Sequence, residues 1–312
     1  MEAKIKYRRK PVGDVLKSQW ELQSMVIPGV IFMIIFSFIP MYGALIAFQN
    51  FTMITALGGD TQWVGLNNFR MLFNDQFFWN SVRNTLAISF LKLAIGFVAP
   101  IILAILIYEM RSGLLKRFIQ TVSYLPHFLS WVVLGGMMTV WLSSTGLLNN
   151  ILDIFGLAGN RQNWLLSTQN YWMIAVLSDV WKSVGWNSIL FLAVLSKIDP
   201  TFFEAAKIDG ASRLQMIRHI TIPSMRLIIS FSFIMTISGI FGSNLDQTLV
   251  LQNPVNRPTS EVINSYVFNM GIAAGNFSYA TAAGLATSVI ALTLLIVANT
   301  VTKRLNDGDS IL

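Results

Sequence analysis

Long apolar stretches alternate with shorter polar connections along the 312 residues of the chain. A transmembrane helix needs about 20 mostly apolar residues, and each stretch is about that long. The strict alternation of polar and apolar positions that marks membrane barrel strands does not occur in them. The pattern therefore predicts an all-α membrane protein with six transmembrane helices, at about residues 25–48, 81–107, 118–142, 171–196, 225–243 and 279–301.

The composition agrees with a membrane protein and narrows the function. Hydrophobic residues make up 54% of the chain and charged residues 12%, a balance that a soluble domain of this length could not carry on its surface. Cysteine is absent, which excludes disulfides, thiolate metal sites and a cysteine nucleophile. His127 and His219 are too far apart for a zinc site, and no phosphate-binding loop motif occurs. We therefore expect neither an enzyme nor a bound cofactor.

Lysine and arginine are distributed unevenly between the connections. They concentrate in the N-terminal tail, in the second and fourth connections and in the C-terminal tail. Cytoplasmic segments carry such an excess, so both termini are expected in the cytoplasm, and the net charge of +7 requires no nucleic-acid partner. The predicted organisation is a cytoplasmic tail at 1–24, a membrane domain at 25–302 with a cytoplasmic loop at 199–224, and a second cytoplasmic tail at 303–312.

The loop at 199–224 contains the most charged run in the second half of the chain. Asp199-Pro200 predicts a helix start, with a capping carboxylate followed by proline in the first turn. Asp209-Gly210 predicts a turn in which Asp209 accepts hydrogen bonds from backbone N–H groups two or three residues further on. A second helix is expected at about 212–220. Such a helical pair could dock into a groove of a soluble protein or rest on lipid headgroups, and the residue chemistry leaves both open.

Three short motifs in this loop resemble the cytoplasmic EAA loop of permeases from binding-protein-dependent ABC importers. They are Glu204-Ala205-Ala206, Asp209-Gly210-Ala211 and Ile220-Thr221-Ile222-Pro223. Four stretches, "FIPMYGALIAFQNF", "YLPHFLSWVVLGGM", "IDPTFFEAAKIDGA" and "NPVNRPTSEVINSYVFNMGI", resemble the carbohydrate permeases often labelled polysaccharide or lipoprotein permeases. Departures from that pattern are Ile222, Met216 and Leu227, where leucine, an aromatic residue and a second proline are usual.

The resemblance implies a type I ABC importer permease fold in a bacterial cell membrane, with the loop seated in a cleft of an ATPase subunit. Glu204 would pair with a basic residue of the ATPase, the alanines would permit close packing, and Gly210 would form the turn. The implied coupling residues are Glu204, Ala205, Ala206, Asp209, Gly210, Ala211, Ile220 and Pro223. The implied partners are a different second permease, two ATPase copies holding ATP and Mg, an extracytoplasmic solute-binding lipoprotein, and an oligosaccharide or polysaccharide fragment as substrate.

Candidate substrate contacts are polar side chains at membrane depth, where ionisable groups are costly and usually functional. Lys92 and Asp179 lie at similar depth in the second and fourth predicted spans. Asp179, Lys182 and Trp186 share a helix face, with Asn187 beside it, and such aromatic, amide and charged groups suit a sugar-lined cavity. Further candidates are Asn244, Asp246 and Gln247. Alternatively, Asp179 pairs with Lys92 or Lys182 only to satisfy buried charge.

Two other functions remain open from the sequence. An ion-coupled secondary transporter could use the same membrane-depth charges, although it would not need a loop of this kind. A membrane protein without transport activity could keep the loop as a docking site only. Transport that persists without an ATPase would favour the first alternative, and the absence of substrate-stimulated ATP hydrolysis would favour the second.

Overall fold

The computed structural model describes residues 19–305, apart from 53–54, 56–58, 112, 158, 160 and 240–244. The expected N-terminal tail therefore lies outside the described residues as far as residue 18. The same holds for 306–312 of the second tail and for the candidate substrate contact Asn244.

Helices make up most of the described chain. In the first half they are α1 Trp20–Met33, α2 Asn67–Asn74, α3 Gln76–Leu91, α4 Val98–Glu109, α5 Leu114–Tyr124, α6 Trp131–Trp141 and α7 Leu147–Ile154. In the second half they are α8 Tyr171–Leu195, α9 Pro200–Ile208, α10 Arg213–Met216, α11 Ile222–Ser224, α12 Arg226–Ser238, α13 Leu245–Leu251, α14 Arg257–Ser260, α15 Ile263–Phe268 and α16 Phe277–Leu305. Turns of π-helix lie at Ile34–Phe38, Lys92–Gly96, Ile217–Thr221 and Asn269–Ala273, and 3₁₀ turns at Ile39–Phe48, Leu125–Phe128 and Trp164–Leu166.

Within the described residues, three helical stretches are long and apolar enough to cross a membrane: 20–48, 76–109 and 277–297. A fourth is obtained if the bent pair formed by 213–224 and α12 is one span. The predicted fourth span coincides with α8, whose 25 residues extend over about 38 Å and carry polar side chains along their length. The count of six spans stays a prediction.

The third predicted span, 118–142, is not one continuous helix. Between α5 and α6 lie a 3₁₀ turn that contains Pro126 and an extended residue, Leu129. Proline lacks the N–H group and clashes with the preceding turn, so a single helix cannot run through this position undisturbed. Ser130 then starts α6, because its hydroxyl oxygen accepts a hydrogen bond of 3.3 Å from the Val133 N–H.

The fifth predicted span, 225–243, follows a sharp bend. The helical stretch 213–224 and α12 meet at 64°. Pro223 lies just before the bend, and Met225, at the joint, is fully buried. The bend lets the segment before it leave the bundle at a steep angle to α12.

A short antiparallel ladder departs from the all-α expectation. β1 Gln49–Asn50 pairs with β2 Gln62–Trp63 in the connection between the first and second predicted spans. Asn68 in α2 fastens the same region, because its amide donates to the carbonyl oxygens of Ala47 at 2.8 Å and of Gln49 at 3.1 Å. The ladder gives partners to backbone groups that the 3₁₀ turn after α1 no longer satisfies. It is a local exception in a helical chain.

Among the described residues, three apolar clusters hold the helices together. One packs α2, α3, α15 and α16 around Tyr266. The second joins α3, α8 and α13 around Ile88 and Leu251. The third joins α4 and α8 to the joint residue Met225. Both α3 and α8 take part in two of these clusters, so these two helices connect the three clusters.

Candidate functional site

The loop at 199–224, called the coupling segment below, begins as the sequence predicts. The Asp199 carboxylate accepts a hydrogen bond of 2.9 Å from the Thr201 N–H, and Pro200 occupies the first position of α9. Hydrogen bonding by Thr201 favours the ionised carboxylate and lowers the pKa of Asp199. The predicted helix start is therefore confirmed.

Gly210 ends α9 with a left-handed backbone, at a φ of +75°. Its N–H donates to the Lys207 carbonyl at 3.1 Å, and the Ala211 N–H donates to the Ala206 carbonyl at 2.9 Å. These two bonds form a Schellman motif, which ends many helices at a glycine. The predicted turn at Gly210 is confirmed. The predicted role of Asp209 is wrong, because the Ala211 N–H donates to the Ala206 carbonyl and the Ser212 N–H donates to the Gln215 side chain.

The second helix of the coupling segment starts at a capping box. The Ser212 N–H donates to the Gln215 side chain at 2.7 Å, while the Gln215 N–H donates to the Ser212 hydroxyl. The helical stretch runs from α10 through a π turn to α11, past the predicted end near Ile220. Ile220 is half-buried and Pro223 is exposed.

Most of the coupling segment is exposed. Glu204, Ala205, Asp209 and Gly210 are exposed, whereas Ala206 and Ala211 are half-buried. Three large apolar side chains, called the apolar crest below, are also exposed: Phe202 to 61%, Ile208 to 87% and Leu214 to 75%. Phe203 points the other way, and its ring centroid lies 6.2 Å from that of Tyr108 at the end of α4. The segment is thus attached to the second span and presents an apolar surface outward.

At membrane depth, three of the predicted candidates meet. The Lys92 Nζ lies 3.2 Å from the Asp179 Oδ2 and donates to the Gln247 Oε1 at 3.0 Å. The Gln247 amide is anchored in turn by the Ala175 carbonyl at 2.6 Å and the Ser178 hydroxyl at 2.8 Å. Lys92 begins the π turn that interrupts the second span, a feature frequent at functional sites.

Lys182 does not join this group, although it shares a helix with Asp179. Its Nζ donates to the carbonyl oxygens of His127 at 2.7 Å and Leu129 at 2.6 Å. Those carbonyls lie where the third predicted span is broken, and a broken helix leaves carbonyl groups that need donors. Lys182 therefore connects the broken part of the third predicted span to α8. Asp179 pairs with Lys92, which is one of the two pairings that the sequence left open.

Two neighbouring cavities lie beside these groups. One, of about 140 Å³, is lined by Lys92, Asp179 and Asn187, and the other, of about 370 Å³, by Trp186 and Asn187. Asn187 belongs to both. The Trp186 ring is half-exposed and stacks on the His127 ring, with centroids 4.5 Å apart. Together the cavities form a polar and aromatic chamber, called the inner chamber below.

The sequence analysis missed several residues that line the inner chamber, and it named Gln247 as a substrate contact although Gln247 is buried. Ser89, Ser183 and Thr236 also line the chamber, but serine and threonine are too common in membrane helices to be singled out by type. Gln247 is 1% exposed, so it positions Lys92 and is not open to a ligand. Asp246 is exposed at the start of α13.

The chain is similar to known transport proteins. Residues 96–307 match the family described as "Binding-protein-dependent transport system inner membrane component". "Polygalacturonan/rhamnogalacturonan transport system permease protein YteP" of Bacillus subtilis (strain 168) is 36% identical, over 97% of this chain and 94% of that protein. "Protein LplB" of the same strain is 36% identical over 92% and 90%.

Two solved structures resemble the whole fold. One chain of a bacterial ABC transporter involved in the import of the acidic polysaccharide alginate superposes with a TM-score of 0.86. It is 33% identical, over 95% of this chain and 99% of that one. A second structure, of the bacterial alginate ABC transporter in complex with alginate pentasaccharide-bound periplasmic protein, gives 0.85 and 33%, over 95% and 98%.

A helical bundle with a polar chamber and a projecting helical segment has the parts that a membrane transport subunit needs. The chain belongs to the family of inner membrane components of binding-protein-dependent transport systems. It is the permease subunit of an ABC importer, in which ATP hydrolysis is carried out by a separate ATPase.

Proposed function

We propose that this chain forms one half of the translocation pathway of an ATP-driven importer for oligosaccharides or polysaccharide fragments. The relative named for polygalacturonan/rhamnogalacturonan transport and the alginate importer support a carbohydrate substrate. A different second permease supplies the other half of the pathway. Two ATPase copies hold ATP and Mg²⁺, and an extracytoplasmic solute-binding lipoprotein delivers the sugar.

The proposed topology has six spans, with the broken α5–α6 pair as the third, α8 as the fourth and α12 as the fifth. Tails at 1–24 and 303–312 flank the membrane domain at 25–302, and both are cytoplasmic together with the coupling segment. The concentration of lysine and arginine in these parts supports this orientation. The contact between Phe203 and Tyr108 at the end of α4 supports an arrangement with the coupling segment beside that end of the second span.

The observation that carries the coupling role is the apolar crest. Three large apolar side chains exposed to solvent within one short segment favour a protein partner that covers them. The exposed Glu204 carboxylate beside the crest would pair with a basic residue of the ATPase. Ala205 would let the partner's backbone approach closely, as helix-in-groove docking requires.

Movement of the ATPases would reach the inner chamber through two rigid connections. The Phe203 and Tyr108 rings connect α9 to α4, and the buried joint at Met225 connects the segment to α12. Pro100 in α4 and Phe231 in α12 both line the larger cavity of the chamber. A shift of the coupling segment would therefore move two walls of the substrate pathway.

Reversal of the Glu204 charge tests the coupling role. A basic partner facing Glu204→Lys would meet a like charge, which costs several kcal/mol where water is excluded. We expect ATPase co-purification and sugar uptake to fall at least tenfold, with normal amounts of permease in the membrane. Glu21→Lys, the same change at an exposed glutamate of α1, is the matched control and should keep both. Equal behaviour of the two variants would overturn the assignment.

The reconstituted importer separates this function from the two alternatives. With di- and hexasaccharide fragments of polygalacturonan as probes, we expect uptake that requires ATP and ATP hydrolysis that the sugar stimulates. Uptake driven by an ion gradient without the ATPase would support a secondary transporter. ATPase binding with no uptake of any saccharide would support a docking protein.

The cysteine-free chain allows a direct test of the orientation. Lys207→Cys lies in the coupling segment. Val255→Cys lies between the fifth and sixth predicted spans, in a connection called the third outer connection below, where Val255 is 52% exposed. In intact cells, an impermeant thiol reagent should label position 255 and leave position 207 unlabelled until the membrane is opened. Labelling of position 207 in intact cells would reverse the topology.

A further inference from the structure

A second cavity, whose mainly apolar lining carries several polar side chains, lies far from the inner chamber, at the other end of the second span. It has a volume of about 420 Å³ and is lined by Phe77 and Asn80 of α3 and by Arg257 and Glu261 of the third outer connection. The 34 residues from 76 to 109 extend over about 50 Å, and the coupling segment contacts their far end through Tyr108. This cavity, called the outer cavity, therefore faces the side opposite the coupling segment.

The polar groups of the outer cavity are held in place by one another. The Arg257 Nη2 donates to the Glu261 Oε1 at 2.8 Å, and the Asn269 Nδ2 donates to the same oxygen at 3.1 Å. Glu261 is 7% exposed, whereas the Arg257 side chain is half-exposed and borders a neighbouring cleft of about 720 Å³. A fixed carboxylate and guanidinium thus face a space that is large enough for a small-molecule ligand.

The second span fixes the wall that carries these groups. The Asn84 amide donates to the carbonyl oxygens of Pro258 at 2.9 Å and Glu261 at 3.0 Å. The Thr85 hydroxyl accepts a hydrogen bond of 2.9 Å from the Ile263 N–H. Because these bonds connect the wall to a span, the outer cavity is preformed on a rigid element.

The outer cavity and the inner chamber lie along the same stripe of the second span. Asn80, Asn84, Ile88 and Lys92 follow one another at intervals of four residues, which places them along one stripe that winds around the helix by about 40° per step. Asn84 and Lys92 are about 12 Å apart along the axis. Each of the two spaces combines an ion pair, an asparagine amide and an exposed aromatic ring. In the outer cavity these are Arg257–Glu261, Asn80 and Phe77. In the inner chamber they are Lys92–Asp179, Asn187 and Trp186.

Apolar side chains separate the two spaces. Ile88 lies between Asn84 and Lys92 on the stripe. On α13, Leu251 lies between Gln247, which binds Lys92, and the start of the segment that carries Arg257. Both are 2% exposed and belong to one packed cluster. A ligand in the outer cavity would therefore be separated from the inner chamber by apolar side chains until the spans rearrange.

We propose that the outer cavity is a second saccharide subsite, which holds one part of an oligosaccharide before and during its transfer to the inner chamber. The proposal rests on the proposed carbohydrate import. The Phe77 ring, 67% exposed, offers a flat apolar face to a sugar ring, while Asn80, Arg257 and Glu261 offer planar donors and acceptors to its hydroxyl groups. A short sugar fits the inner chamber alone, and a longer one reaches both.

Transport kinetics with sugars of two lengths test this subsite. The assembled importer with its binding protein is reconstituted in vesicles, with di- and hexasaccharide fragments of polygalacturonan as probes. Phe77→Ala and Asn80→Ala should each raise KM for the hexasaccharide roughly three- to tenfold and leave kcat and the disaccharide KM unchanged. Both residues are exposed, so folding should tolerate the changes.

Phe90→Ala is the matched control, because Phe90 lies on the same helix and is 70% exposed. It should leave KM unchanged for both sugars. An unchanged hexasaccharide KM in both cavity variants would overturn the outer subsite while leaving the importer function intact. Loss of binding-protein capture with equal effects on both sugars would assign the cavity to a protein contact instead. If the wild-type importer takes up neither fragment, the substrate assignment fails, and the subsite fails with it.

Discussion

Replacement of Gly210 is the sharpest test of how the coupling segment is built. Gly210 has a φ of +75°, and, among the described residues, no atom lies within 4 Å of a Cβ placed there. The cost of a side chain is therefore backbone strain and not a clash. For an L-residue, a left-handed backbone costs about 1–2 kcal/mol, and a β-branched residue tolerates it least.

The same backbone strain would destabilise the Schellman motif at the end of α9. If the backbone relaxes out of the left-handed region, the bonds from Gly210 to Lys207 and from Ala211 to Ala206 are lost. A penalty of 1–2 kcal/mol lowers the population of the native turn about 5- to 30-fold relative to its competitors. Because the turn sets the angle between α9 and α10, this loss should appear as poorer coupling, with the spans intact.

A graded series of substitutions makes the prediction quantitative. Gly210→Asn should be the mildest, because asparagine tolerates the left-handed region, Gly210→Ala should be intermediate, and Gly210→Val should be the most severe. The measurement is the ratio of sugar uptake to ATP hydrolysis in reconstituted vesicles, together with ATPase co-purification. If Gly210→Val couples as well as Gly210→Asn, the turn does not determine coupling and this reasoning fails.

Two further predictions concern α8. Asp179→Asn removes the charged partner of Lys92, whose side chain is only 12% exposed. Breaking a buried ion pair costs about 3–5 kcal/mol of stability, but the Gln247 oxygen and the new amide oxygen still accept from Lys92, so we expect a loss of about 2 kcal/mol. The measurement is a lower melting temperature in detergent. Gly185→Ala should reduce the yield of folded protein sharply, because the new Cβ would lie 2.0 Å from the Ser123 carbonyl oxygen, a backbone atom that cannot rotate away.

Matched variants separate structural from functional effects in these two cases. Lys92→Met combined with Asp179→Leu replaces the ion pair by apolar groups and should restore stability, while uptake stays low if the pair contacts the sugar. Normal uptake by that double variant would make the pair purely structural. Gly136→Ala is the control for Gly185, since no described atom lies within 4 Å of its Cβ position. Unchanged melting of Gly185→Ala would contradict the close approach of α5 and α8.

The amino-acid sequence by itself determined the features that depend on residues close together in the chain. Apolar runs of span length predict helices, Asp199-Pro200 predicts a helix start, and Gly210 predicts a left-handed turn, because each of these is formed within a few residues. The family resemblance carried by the motifs of the coupling segment is likewise a local signal, and the comparisons confirm it. The wrong prediction for the Asp209 carboxylate has a local cause too, since the Ala206 carbonyl accepts the hydrogen bond from the Ala211 N–H.

Only the tertiary structure decided which distant groups meet. Asp179 could pair with Lys182 on its own helix or with Lys92 on another, and the packing placed it beside Lys92. Lys182 went instead to the carbonyl groups released where the third predicted span breaks. Nothing in the sequence relates Arg257 to the second span, and only the hydrogen bonds from Asn84 to Pro258 and Glu261 bring its segment against that span. Helical periodicity specifies the face on which a side chain lies, but the helix that packs against that face is chosen by the sum of long-range contacts.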